Sequence, residues 1–252
     1  MSAMSIGGIV FLCVFGGAAL GTLLRAVLPE HHLSVDSKDL VKLAMGLMAT
    51  MSALVLGLLI ASAKTSFDAQ SAELIQLSAD VIELDRVMAG YGPETRQARE
   101  LLRGAVALTL ERVWPGDGSQ AKPAQLALAA GTANLYMEIQ KLAPQNEGQR
   151  LLEANAVRIC TEIGRTRWVL FEQRERTIPA PFMVVLVFWL TVLFVSFGLF
   201  APSNATVIAT LLVCALSVSG AMYLILELDQ PFEGLMRLSS TPLRAALGQL
   251  GQ

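Results

Sequence analysis

Charged residues are absent from four stretches of the chain, at residues 6–24, 43–63, 182–200 and 206–226. Each is close to the ~20 apolar residues that a helix needs to cross a ~30 Å hydrocarbon core. The pattern predicts an all-α polytopic membrane protein with four transmembrane helices. A basic n-region would mark the first stretch as a signal peptide, but Met1–Ser5 is uncharged and the apolar run continues to Leu24. It is read as a retained span.

Between the second and third spans lies a long polar-patterned segment, and its spacing is helical. No proline occurs between Pro29 and Pro93, and Gly90-Tyr91-Gly92-Pro93 is a stop signal. With Asp36 or Ser37 as a cap, the second span is expected to continue as one helix of roughly 50 residues. Its later part carries Phe67, Leu74, Val81 and Met88 at one heptad position and Leu77 and Leu84 at another, a pattern that packs against other helices. Glu73, Asp80 and Glu83 are expected on the wet face. Pro93 and Pro123 suit first helical turns, and Trp114-Pro115-Gly116-Asp117-Gly118 is a break between them. Asn146 can cap a last long helix to about Arg176, with Arg158–Glu162 and Glu172–Arg176 as ion pairs; Pro179 and Pro181 set its junction with the third span. Ala201–Ala205 is a tight turn.

These breaks divide the chain into a first transmembrane pair (1–63), a helical insert (64–179), a second transmembrane pair (180–226) and a tail (227–252). An even number of spans puts the termini and the insert on one side. Lys64, Arg165, Arg167, Arg174, Arg176, Arg237 and Arg244 lie there, against Arg25, Lys38 and Lys42 opposite. The positive-inside rule makes the insert, the tail and both termini cytoplasmic.

Composition sharpens this picture. Apolar residues make up 54% and charged residues 16%, against ~25% charged in soluble domains. A net charge of −2 without a run of Lys or Arg gives no nucleic-acid footprint. Cys13, Cys160 and Cys214 are odd in number and lack a CxxC neighbour, so they form no disulfide framework or zinc site and act as small packing residues. Hydrolase, phosphate-loop and dinucleotide motifs are missing. The only histidines, the adjacent His31 and His32, would point in different directions. An enzyme is not expected, nor a metal or cofactor.

The spans carry signs of assembly. Ala49, Ala53, Gly57 and Ala61 recur every four residues in the second span, and Gly17 and Gly21 form a GxxxG in the first. Small residues at this spacing let helices approach closely. Thr206, Thr210, Cys214 and Ser217 share roughly one face of the fourth span, either as packing with local hydrogen bonds or as a polar path. No span holds an ionisable residue, which argues against ion-coupled transport but not against a channel gated by an apolar constriction.

Ser66-Phe67-Asp68-Ala69-Gln70-Ser71-Ala72-Glu73, Leu84-Asp85-Arg86 and Tyr91-Gly92-Pro93, with Glu227-Leu228-Asp229-Gln230-Pro231-Phe232-Glu233-Gly234, Ser239-Ser240 and Pro242-Leu243-Arg244 in the tail, resemble the bestrophin-like family of bacterial membrane proteins. The layout is also similar to that of true bestrophins, pentameric anion channels whose second span lines the pore. This resemblance implies a homo-oligomer in the lipid bilayer passing small ions. Only Glu233 follows Pro231-Phe232, unlike the acidic run of calcium-binding bestrophins. The second span also lacks an aromatic neck, so a narrow point would be built from Met51, Leu54, Leu58 or Phe67.

The leading expectation is therefore a homo-oligomeric channel for small anions with the second span at the axis. The alternative is a non-conducting membrane-anchored scaffold or sensor whose cytoplasmic helices bind a partner. Asp68, Glu73, Asp85 and Arg86, with Glu227 and Asp229, are expected to form one polar layer at the membrane edge, with Arg86, Arg174 and Arg176 as counterions.

Overall fold

A computed structural model describes residues 2–27, 35–115, 125–171, 180–202, 204–232 and 234–251. Among them every regular element is helical. The helices run α1 (Ala3–Val27), α2 (Val35–Tyr91), α3 (Arg96–Val113), α4 (Gln125–Gln140), α5 (Glu147–Phe171), α6 (Ala180–Phe200), α7 (Ala205–Leu228) and α8 (Thr241–Gln249). Four of them, α1, α2, α6 and α7, are long and apolar enough to cross a membrane. The chain divides into two units, Met1–Phe67 with Arg176–Gln230, and Asp68–Glu175 with Pro231–Gln252. The helix α2 enters both.

In the first unit α1 packs on α6 and α7. Apolar side chains gain nothing by leaving lipid for protein, so packing density holds such helices together. The glycines of α1 supply it. A Cβ on Gly21 would overlap the backbone carbonyl of Val195, and one on Gly198 would overlap that of Ala18. A Cβ on Gly17 would lie 3.1 Å from Thr191. The GxxxG of the first span is thus the seat of α6, with Gly198 completing it from the other side. Val14, Leu186, Ala215, Met222 and Ile225 form the fully buried centre, joined by Leu59 and Ala63 of α2.

In the second unit α3, α4 and α5 pack in sequence, and α8 sits on α3. The heptad positions of α2 expected to pack do so within the chain: Leu74, Leu77, Val81, Leu84 and Met88 are buried. Amphipathic spacing in α3 buries Ala98, Leu102, Val106, Leu110 and Val113. Gly92 ends α2 at φ +137°, a conformation that favours glycine. Pro93 then opens a 3-10 turn, and Thr95 donates its hydroxyl to the Met88 and Gly92 carbonyls. Asn146 caps α5 by accepting from the Gln149 N–H at 2.8 Å, and Gln149 itself donates to the Tyr91 carbonyl.

The tail is anchored to this unit. Trp114 closes α3, donates its indole N–H to the Leu238 carbonyl at 2.8 Å and meets Phe232 edge-on at 5.9 Å. Leu243 and Ala246 bury the inner face of α8.

Two expectations are corrected here. Asp80 is buried rather than on the wet face, because its heptad position turns toward α5. Arg158 binds Asn155 and approaches Glu83 at 3.9 Å instead of pairing with Glu162. Pro123, Glu172, Arg174 and Arg176 lie outside the described residues.

Candidate functional site: the open face of the second helix

Two faces of α2 behave differently in its apolar half. Ser52, Leu59 and Ala63 are buried on one side, and Phe67 continues that side into the core of the first unit. The other side is left largely open by the described residues. Leu54 is 74% exposed, Leu58 71% and Met51 45%. Phe67 therefore leaves the group of candidate pore-lining residues; it lies 16 positions beyond Met51, about 160° round a helix of 3.6 residues per turn. Met51, Leu54 and Leu58 stay together.

The small-residue stripe belongs to the same uncovered side. Ala53, Gly57 and Ala61 are exposed and Ala49 is half-buried, while a Cβ on Gly57 would meet nothing within 4 Å. The two small-residue motifs thus have different uses: that of α1 is consumed inside the chain, and that of α2 is left open.

The open side keeps a seven-residue rhythm well past the apolar run. Leu40, Leu47, Leu54, Ala61, Asp68 and Ile75 are exposed at one position, and Met51, Leu58, Thr65, Ala72, Ala79 and Arg86 at another. A heptad seam of this kind is the surface that a second helix covers in a coiled coil. The sequence shows it, but the buried heptads of α2 share the same period and hide it.

Within α2 the expected polar layer does not hold to one level. Asp68 and Asp85 are separated by 17 residues of unbroken helix, about 25 Å of rise, so Asp85 and Arg86 cannot share a level with Asp68. Asp68 and Arg86 are exposed and Glu73 is half-buried, with its Oε2 lacking a partner. Glu227 is buried and accepts a hydrogen bond from Tyr223. Asp229 is half-buried.

Asp85 has a counterion that sequence reasoning missed. Arg99 of α3 grips it bidentately, Nε to Oδ1 at 2.7 Å and Nη2 to Oδ2 at 2.8 Å. The Gly251 N–H adds a third bond to Oδ2 at 3.2 Å, tying the tail to α2. Burial raises the Asp85 pKa, but the Arg99 hydrogen bonds, the Gly251 N–H and the guanidinium charge outweigh it and hold the carboxyl below its ordinary value. No local signal links residues 14 and 166 positions apart, so only the fold reveals this junction. Asp80 goes the other way. Burial raises its pKa above the Gln76 hydrogen bond's lowering effect, with Glu162 and Glu83 adding to the rise, and its Oδ2 has no partner. Cys160, buried in α5, is pushed up to about 11 by burial and is a packing thiol. His31, His32 and Glu233 lie outside the described residues.

In α7, Thr210 and Ser217 donate to the carbonyls of Thr206 and Val213. Their hydroxyls are spent on their own helix. Among the described residues no group of three or more His, Cys, Asp or Glu is placed to hold a metal ion.

A family model, the Bestrophin-like domain, matches residues 12–243. No curated protein and no solved structure matches the chain.

Proposed function

The chain belongs to the bestrophin-like family, and from that membership and the open face of α2 we propose a homo-oligomeric membrane channel for small anions. Copies of α2 surround the axis, Leu54 and Leu58 with Met51 form an apolar constriction, and Ala53, Gly57 and Ala61 seat the neighbouring copy. The observation that carries this reading is the uncovered heptad face: it runs through a span, lacks charge from Leu43 to Ala63, and is left exposed by the described residues of the protomer. A constriction of leucines gates by dewetting rather than by charge. By family analogy the assembly is a pentamer. The excess of basic residues beside the second unit favours a cytoplasmic place for it and for both termini, in the bacterial inner membrane. In a cysteine-free background, His31→Cys is then labelled from outside intact cells and Gln120→Cys is not.

Purified protein reconstituted in liposomes tests the channel. A particle of several copies and chloride flux that rises on Leu58→Ala are expected. Asp68 stands exposed where the apolar run ends, and a ring of such carboxylates repels anions. Asp68→Asn then shifts the reversal potential toward stronger anion preference, while Glu73→Gln leaves it in place. An oligomer with no flux from the parent or from Leu58→Ala overturns the channel and leaves the alternative, a scaffold whose helical second unit binds a partner. A monomer overturns the axial α2.

A further inference from the structure

The first unit contains an open-sided cavity of about 490 Å³ lined by α2, α6 and α7, within the ~300–1,000 Å³ of small-molecule sites. Phe197 and Phe200 close one wall, Met45 another, and Thr210 and Cys214 of α7 a third, with Lys42 at one end. The Thr210 hydroxyl is bonded to the Thr206 carbonyl, so the wall is apolar. The cavity begins beside the turn between α6 and α7, where Thr206 lines it, and reaches Cys214. Those eight residues of α7 span about 12 Å. It therefore runs from one bilayer face toward the middle of the ~30 Å core.

We propose that this cavity binds the acyl chain of an anionic phospholipid, with the headgroup at Lys42. Three observations lead there. An apolar hollow of this size inside a membrane forfeits dispersion contacts unless something fills it, and hydrocarbon tails are the surrounding solvent. The rim is cationic: Lys42 is the last charge before the uncharged run of α2, and Arg25 of α1 donates to the carbonyl of Ala201, itself a lining residue. Asp39 holds the Lys42 ammonium at 3.0 Å, but both side chains are well exposed, and a solvent-screened pair of this kind is weak enough to exchange for a lipid phosphate. Finally, the cavity opens away from the seam that a second copy would occupy. Met45 and Leu54 are nine residues apart, about 180° round the helix. The site holds whether or not the assembly conducts.

Cys214 is a native reporter, exposed and lining the cavity. Cys13 is the other exposed thiol and Cys160 is buried, so the test uses a Cys13→Ser chain. Its reaction with an apolar maleimide is timed in nanodiscs of phosphatidylglycerol, in nanodiscs of phosphatidylcholine and in lipid-free detergent, while native mass spectrometry counts retained lipid. At least tenfold slower modification in phosphatidylglycerol than in phosphatidylcholine is expected, with phosphatidylglycerol retained on the protein. Lys42→Gln should erase the difference between the two lipids, and Thr210→Phe should displace the lipid while keeping the particle size. Equal rates in both lipids overturn the headgroup assignment. Equal protection in lipid-free detergent also overturns the site, because a neighbouring copy then covers it.

Discussion

Removing the guanidinium from Arg99 leaves the Asp85 carboxylate buried, and this perturbation measures how firmly α2, α3 and the tail are joined. Asp85 is 4% exposed, and the Arg99 side chain is 23% exposed. Breaking a buried ion pair from one side costs ~3–5 kcal/mol. Two features place Arg99→Met near the lower end: Arg99 retains some hydration in the parent, and the Gly251 N–H still reaches Oδ2. A loss of ~3 kcal/mol corresponds to roughly 6–12 °C in Tm for a chain of this size. The partner should behave differently. Asp85→Asn strands a guanidinium that can turn to water, so it costs only ~1–2 kcal/mol, and Asp85→Asn with Arg99→Met recovers much of the Arg99→Met loss.

The pH dependence carries a sign. Asp85 is held below its ordinary value, so its stabilisation is complete above the unfolded pKa of ~3.9 and fades as pH falls through the folded value. In Arg99→Met only the Gly251 N–H still opposes burial, and the carboxyl protonates more readily. The gap between parent and variant is therefore full at neutral pH and closes on acidification toward pH 4 and below. Thermal unfolding followed by tryptophan fluorescence reads all three variants, since Trp114 is buried in the same unit. An Arg99→Met midpoint within 1 °C of the parent, or a double variant no better than Arg99→Met, refutes a buried pair that governs this junction.

Gly57→Leu should leave the protomer's Tm unchanged, because nothing lies within 4 Å of its Cβ, yet reduce the size of the particle in size-exclusion chromatography; a full-size particle shows that the stripe faces lipid. Gly198→Ala should lower Tm by an amount equal to ~2–3 kcal/mol, as its Cβ meets the Ala18 backbone, whereas Gly16→Ala in the same helix pair, with open space at its Cβ, should be neutral. Asp80→Asn should raise Tm at neutral pH. Its pKa is raised chiefly by burial, so the parent loses stability as pH rises from ~3.9 through the folded value; the variant does not, and its advantage should vanish below pH 4.

Much of this fold is visible in the one-dimensional pattern because the membrane imposes it. A span must lack charge over some twenty residues, and the stops at Gly92-Pro93 and the cap at Asn146 are local chemistry that needs no distant partner. The misplaced residues share the opposite property. Asp80 looks like a wet-face acid until α5 covers it. Arg99 and Gly251 have nothing near them in sequence that points to Asp85. The motifs that carry the family resemblance follow the same division: Tyr91-Gly92-Pro93 explains itself as a helix stop, whereas Leu84-Asp85-Arg86 and the tail make sense only once Arg99 and Gly251 meet on the same carboxylate.

The second helix sets the limit of pattern reading most sharply. Apolar residues of period seven occur on two sides of it, Leu74, Val81 and Met88 on one and Leu40, Leu47 and Leu54 on the other. Period tells which residues share a face, but not whether that face is filled by the same chain. Burial decides this, and it assigns the first set to the protomer's own core and leaves the second open. Phe67 shows the consequence. Grouped by depth, it belongs with Leu54 and Leu58 as a constriction; grouped by face, it belongs with Leu59 and Ala63 in the core of the first unit. An aromatic ring at that place braces α2 from behind, so the open face that a neighbouring copy would meet is built from leucine, methionine and small residues. If copies do assemble there, the width of the axis is set by how closely Ala53, Gly57 and Ala61 let them approach, and the leucines fill whatever space that approach leaves.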